Sequence, residues 1–468
     1  MEDDEESPSV DTLGMTPSEM RRLGHRVVDL VVDRLRQRDR EPAIKTGKPD
    51  ELMRLLDGPL PRATGSPDDA IDLLVSTALS HQQHGDHPRY FARVPGPSSF
   101  AAVLGDWLGI GFNTIATSWV GGSGPATVEV VVLRWLREFL GLPDEGEGVL
   151  VSGGSMANMT AFAAAAAKTG RGMAYLSDQA HASLPRALKL LGYLNDDIRI
   201  IPSDGDFRMP VRELSRAIDE DERRGNRPTL MVGTSGTTNT GAIDPIGEMA
   251  DLAASHGMWF HVDGAYGASA AACPEPREAM RGIARADSLV IDPHKWLFQP
   301  YGVACTLVRS PGALEQAFSM SPEYLRDTAS HAGEPSFGNR GPELSRRSRA
   351  LKLWLTFRTY GAERIQQAIQ RGIHLAEYAE RRLRSDGAIW DVVTPAQLGI
   401  VTFALHGAET SDHERAASAL SDSGLAAVST TTLKGRSALR LCILNPLTQE
   451  KDIDDTIAFL ARAGSRSR

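Results

Sequence analysis

An α/β fold built on a mostly parallel sheet is what this chain of 468 residues predicts, and three observations predict it. Between residues 99 and 360 short apolar runs alternate with helical stretches, the pattern of strand–helix units around a parallel sheet. Several of those runs end in Gly, Ser, Thr, Asp, His or Lys, the kind of residue found where ligands bind, beyond the carboxyl ends of strands in an open sheet. The composition, 41% hydrophobic and 24% charged, excludes a disordered or fibrous protein. The length allows two or three domains of about 100–200 residues each.

Taken in order, the residues up to about Gly14 are acidic and rich in Ser and Asp, and are expected to be disordered. Thr16-Pro17-Ser18-Glu19 reads as a capping box, opening a helix on which Met20, Leu23, Val27, Leu30, Val31 and Leu35 form one apolar stripe. The rest of 1–98 has too little apolar content for a core of its own. It is expected to be a helical arm packed on another domain or another subunit. Residues 99–364 form the expected large domain, with candidate strands at 149–152, 173–177, 198–202, 229–233, 258–262, 288–291 and 303–308. The alanine run 163–167 fits a helix lying close on that sheet. From 365 to 468 a long polar helix precedes strand-like 389–393, 400–405 and 439–444, a small α+β domain.

Lys and Arg total 51 against 60 Asp and Glu, a net charge of -9, so no basic field draws the chain to nucleic acid or to an anionic membrane. A metabolic enzyme with a small-molecule substrate fits better. Cys273, Cys305 and Cys442 match no disulfide or metal-ligand spacing, so no metal is expected and the compartment is reducing. The chain opens on acidic residues where a signal peptide would be basic, and no window reaches about 18 uninterrupted apolar residues; a cytoplasmic protein is expected.

The chemistry lies after the strands. Gly153-Gly154-Ser155 precede a helix whose N-terminal N–H groups suit an anion. His181 follows the second strand, and Thr234 to Thr238 place hydroxyls after the fourth. Asp263 ends an apolar strand, where a carboxylate needs a cationic partner. Lys295, in Asp292-Pro293-His294-Lys295-Trp296, sits among apolar neighbours, where desolvation is expected to lower its pKa and suit it to Schiff-base formation. One ligand that satisfies all of these is pyridoxal 5'-phosphate, with its phosphate, ring nitrogen and aldehyde. At about 3 Å and an effective dielectric near 20, Asp263 would favour the protonated ring by about 5 kcal/mol.

Ser-Asp-Gln-Ala-His at 177–181, His-Val-Asp-Gly-Ala-Tyr at 261–266 and Asp-Pro-His-Lys-Trp at 292–296 resemble the group II pyridoxal-phosphate-dependent amino acid decarboxylases, above all the aromatic-L-amino-acid branch. The likeness covers nearly the whole chain. It implies fold type I, with a seven-stranded, mostly parallel sheet covered by helices on both faces, and a homodimer whose N-terminal arm wraps the partner. It also implies residue roles. Lys295 would form the Schiff base, Asp263 would face the pyridine nitrogen, His181 would stack on the ring and Ala265 would pack on its other face. Gly154, Ser155 and His294 would hold the phosphate, with Thr238 near the cofactor. Asp292 would lie beside the phosphate where relatives often have Asn, and a carboxylate there is repulsive unless it points away. Tyr324 would match the mobile-loop tyrosine that returns a proton after carbon dioxide leaves, in a lid at 327–341 rich in Gly, Ser and Pro.

The expected reaction is decarboxylation of an L-amino acid to its amine. The resemblance places Arg93, Thr117 and Ser345 at the substrate side-chain pocket, where animal aromatic decarboxylases tend to have Tyr, Phe and Gly. Serine at the Ser345 position goes with phenolic substrates in plant relatives, which favours tyrosine or DOPA over tryptophan. Arg93 keeps a polar, acidic or aliphatic substrate open. Arg440 is expected to be structural, because a firm clamp on the departing carboxylate would stabilise the ground state. An aldehyde synthase, coupling decarboxylation to oxidative deamination, is the main rival. A nucleotide-binding oxidoreductase lacks its G-x-G-x-x-G fingerprint here.

Overall fold

The computed structural model describes residues 12–320, 323, 331 and 333–465. Strands β1 (Glu147–Val151), β2 (Met173–Ser177), β3 (Ile198–Ile201), β4 (Pro228–Thr234), β5 (Trp259–Asp263), β6 (Ser288–Ile291) and β7 (Ala304–Val308) form one sheet in the order β1-β7-β6-β5-β4-β2-β3. The five strands from β6 to β3 run parallel, and β7 is antiparallel to both of its neighbours. β5 and β6 are buried at every position. Successive side chains point to opposite faces, so both faces of these strands are covered, which is why they read as unbroken apolar runs. In the helix Gly154–Thr169 the buried positions include Ala157, Ala161, Ala164 and Ala165, small side chains that let it lie close on the sheet.

The second sheet is antiparallel, in the order β10-β11-β9-β8, from β8 (Trp390–Gln397), β9 (Ile400–Leu405), β10 (Ser429–Leu433) and β11 (Arg436–Cys442). β10 is absent from the expected strands. Its Ser-Thr-Thr-Thr-Leu is a half-exposed edge, and its hairpin turns on Lys434 and Gly435, both at positive φ (47° and 80°). Helix Ala350–Ser385 runs across the expected boundary near 364, bending just before it at Gly361.

The first helix, Pro17–Gln37, carries the expected capping box, with the Glu19 N–H donating to Thr16 Oγ1 at 3.3 Å. Its stripe is only partly covered within the chain: Leu23 is the helix's one buried residue, Met20, Leu30, Val31 and Leu35 are half-buried, and Val27 on the stripe and Val28 beside it are 39% and 36% exposed. Arg22 and Arg26 tie the helix to Asp68, and Arg34 ties it to Asp86. Leu108, Ile110, Phe112 and Val120 are also open to solvent. The expectation of disorder at the start falls mainly on residues 1–11, outside the described residues. Among the described residues, no helix is long and apolar enough to cross a membrane, and no group of His, Cys, Asp and Glu is arranged to hold a metal ion.

Candidate active site

The ends of β1, β2, β4, β5 and β6 open on one cavity of about 460 Å³. It is lined by Gly154, Ser155, His181, Thr238, Asp263, Ala265, Asp292, His294 and Lys295, which the sequence had singled out, and also by Met156, Asn158, Gln179, Ser183 and Tyr266. Gln179 lies inside the Ser-Asp-Gln-Ala-His motif, and its Oε1 accepts from Asn239 Nδ2 at 3.2 Å. Tyr266 is held by stacking on Trp296, with ring centroids 5.2 Å apart, and by the Gly399 N–H donating to its hydroxyl at 2.9 Å. Tyr266 closes the His-Val-Asp-Gly-Ala-Tyr motif, but the sequence assigned it no role of its own.

Asp263 closes β5 and is 6% exposed; its Oδ1 accepts the Ala265 N–H at 3.1 Å. Lys295 sits beyond the neighbouring strand β6, on the short helix Pro293–Trp296 that Asp292 begins. Its Nζ lies 3.0 Å from Asp292 Oδ2. Burial works against the ammonium, but the charges of Asp292 and Asp263 outweigh burial and hold the Lys295 pKa above its ordinary value. The expectation that desolvation lowers this pKa is therefore corrected: burial does act in that direction, and two carboxylates in the same cavity reverse the sum.

In the same cavity the helix Gly154–Thr169 starts from Gly153 with no side-chain cap, leaving its first N–H groups to a ligand. A Cβ at Gly154 would stand 2.7 Å from Asp292 Oδ2, so a side chain there would have to displace the Asp292 carboxylate. The Asp292 carboxylate thus points toward the helix end. His294 donates from Nδ1 to the Val303 carbonyl at 2.7 Å, and its Nε2 faces Asp292 Oδ2 at 3.6 Å. Burial lowers the His294 pKa against the pull of Asp292. His181 Nδ1 accepts the Ser183 N–H at 3.2 Å, which assigns the ring proton of the neutral form to Nε2.

Arg93, Thr117 and Ser345 stand outside this lining. Thr117 Oγ1 donates to the Leu344 carbonyl at 2.7 Å, which brings Thr117 and the segment of Ser345 together. Arg93 is exposed, at φ 53°, and its guanidinium donates to Gln83 Oε1 at 2.8 Å. Arg440 is buried and donates to the backbone carbonyls of Arg93 and Asn239, a bracing geometry. Tyr324 and most of the stretch 324–332 lie outside the described residues.

A lysine and an aspartate on adjacent strand ends, sharing one cavity with an uncapped helix terminus, define the class: an α/β enzyme with a place for a phosphorylated aldehyde cofactor. Residues 49–406 match the pyridoxal-dependent decarboxylase conserved domain, and the chain belongs to that family. It is 40% identical over 456 residues to an aromatic-L-amino-acid decarboxylase of Bacillus atrophaeus, covering 95% of each chain. It is 31% identical to a phenylacetaldehyde synthase of Arabidopsis thaliana, covering 96% of this chain and 97% of that one. The crystal structure of an Oryza sativa TDC with PLP and tryptamine superposes with a TM-score of 0.92 at 28% identity, covering 97% of this chain and 99% of that one. The chain is thus a fold type I, pyridoxal-phosphate-dependent amino acid decarboxylase.

Proposed function

We propose that the chain decarboxylates an aromatic L-amino acid, phenolic in preference to indolic, with Lys295 as the covalent anchor of the cofactor. One observation carries the assignment of roles: Lys295 and Asp263 leave adjacent strands and meet in the same cavity. When bound, pyridoxal 5'-phosphate supplies an aldehyde for a primary amine and a protonated ring that accepts the electron pair left by departing carbon dioxide.

The protein's part is to place and protonate. Lys295 must give up a proton before its amine can attack, and Asp292 and Asp263 are the charges that hold that proton in the free protein. Asp263, desolvated at the end of β5, keeps a proton on the ring nitrogen through its charge. The free N–H groups at Gly154 and Ser155 take the phosphate; His294, whose Nδ1 proton is committed to the Val303 carbonyl, joins them only as the imidazolium, and Thr238 lines the cofactor's cavity. His181 and Ala265, both in the cavity lining, would pack against the faces of the cofactor's ring. Tyr324 returns a proton to Cα from the lid. The domain division into 1–98, 99–364 and 365–468 belongs to the same reading.

The protein works as a homodimer in this reading. The supporting observation is the number of exposed apolar side chains: Val27 and Val28 on the first helix, and Leu108, Ile110, Phe112 and Val120 between residues 108 and 120. Thr117 lies on the segment between Phe112 and Val120, bonded to the Leu344 carbonyl, so in this reading it and Ser345 lie close to the surface the partner covers. The three buried, free thiols suit a cytoplasmic setting.

The test is a panel of L-amino acids assayed for carbon dioxide and amine. The expected order is tyrosine or DOPA above tryptophan, with glutamate and aliphatic residues unreactive. Preference for an acidic substrate would overturn the assignment and point to Arg93. Ammonia and peroxide in place of amine would make it an aldehyde synthase.

A further inference from the structure

The end of the cavity shaped for an anion already contains one. The helix Gly154–Thr169 has no side-chain cap, and the side chain facing its first residue is Asp292, whose two carboxylate oxygens would lie 2.7 Å and 2.9 Å from a Cβ at Gly154. Asp292 is 3% exposed, and its Oδ1 is buried with no hydrogen-bond partner. Its Oδ2 is paired with Lys295 Nζ at 3.0 Å. The nearest imidazole, His294, has its Nδ1 proton committed to the Val303 carbonyl, so the neutral ring presents a bare nitrogen to the carboxylate. A buried carboxylate oxygen left unsatisfied beside unused N–H donors is costly, and it is in place before any phosphate arrives.

We infer that Asp292 is an internal competitor of the cofactor's phosphate: it occupies the favourable potential of this helix end, pairs with Lys295 in the free protein, and thereby sets how readily the cofactor is bound and released. The inference rests on the roles proposed above for Lys295 and for Gly154 and Ser155. Binding must bring a phosphate of at least one negative charge beside a desolvated carboxylate and must also break the ion pair with Lys295. Like charges a few ångströms apart in a protein repel by enough to change an equilibrium tenfold or more. Asp292→Asn keeps the shape, removes the charge and offers an N–H to the phosphate.

Two aldehydes separate the effect on phosphate from the effect on Lys295. Cofactor-free wild type and Asp292→Asn are titrated with pyridoxal 5'-phosphate and, separately, with pyridoxal, following the visible absorbance of the covalent adduct. Thermal melts are recorded with and without inorganic phosphate. The expected result is a gain of at least tenfold in affinity for the phosphorylated aldehyde, a clearly smaller gain for pyridoxal, and stabilisation by phosphate in the variant beyond that in wild type. Asp292→Ser should shift affinity in the same direction, which guards against a folding defect peculiar to Asn. Equal gains with both aldehydes would overturn the inference, because Asp292 would then act through Lys295 alone. Weaker binding of the phosphorylated aldehyde would overturn it by making Asp292 a ligand. No adduct in either protein would instead remove the cofactor role of Lys295, and this inference with it.

Discussion

Replacing Asp263 by Asn changes one charge at the end of β5 and leaves its local geometry in place, because the amide oxygen can still accept the Ala265 N–H that Oδ1 accepts now. What is lost is the counter-charge for the ring nitrogen. At about 3 Å and an effective dielectric near 20 that charge favours the protonated ring by about 5 kcal/mol. Asp263 is 6% exposed, so solvent screens it little, but the amide retains a dipole and the pair carries a desolvation cost. About 3–4 kcal/mol is the share expected to disappear, a slowing on the order of a hundredfold to a thousandfold. Carbon dioxide release in a single turnover, with the variant saturated in cofactor, isolates the chemical step from binding. An unchanged single-turnover rate would refute the reasoning, since no other acid ends β5.

Further outcomes follow from the same structure. Tyr324→Phe removes the proposed proton donor while keeping a ring, so product should move from amine toward aldehyde and peroxide in air; amine formed at the wild-type rate would exclude Tyr324 as the donor. Phe112→Asp places a charge among these exposed apolar side chains, where Phe112 is 80% exposed, and should yield monomer by light scattering with reduced activity; an active monomer would exclude the dimer reading. His261, bonded to Asn158 and Ser288, is pushed by burial to a pKa of about 4. Its ordinary value is about 6.5, so the folded state binds fewer protons. The stability it contributes is full above about pH 6.5 and falls as pH drops toward 4, by at most about 3 kcal/mol. Urea unfolding across that range should show a shallower pH slope for His261→Asn than for wild type, and equal slopes would contradict the assignment.

The central strands of the large sheet were legible because burial on both faces leaves uninterrupted apolar runs, whereas the edge strand β3, half-exposed and interrupted by Arg199, was legible from its isoleucines alone; the residues after the strands were legible because charge and glycine are conspicuous at such ends. β10 was not, since an edge strand of Ser and Thr buries too little to be patterned. The antiparallel run of β7 depends on its pairing with β1 and β6 rather than on its own residues. The raised pKa of Lys295 was hidden for a similar reason. Its apolar neighbours in sequence predict desolvation, whereas Asp263, brought alongside by strand pairing, and Asp292, turned inward by its own short helix, decide the sign. The stripe of the first helix was readable as a face in need of a partner; its ion pairs to Asp68 and Asp86 were not, because they cross some fifty residues of loop and helix. Tyr266 and Gln179 reach the cavity through the turns that follow β5 and β2; both lie inside the motifs at 261–266 and 177–181, and their residue types alone gave neither a role.

The account depends most on Lys295 as the residue that carries the cofactor. Borohydride reduction of the holoenzyme, followed by peptide mapping, locates that bond directly. The prediction is a single stable pyridoxyl adduct on the peptide containing Asp292-Pro293-His294-Lys295-Trp296, absent from Lys295→Ala; an adduct on any other lysine, or one that persists in Lys295→Ala, would contradict it.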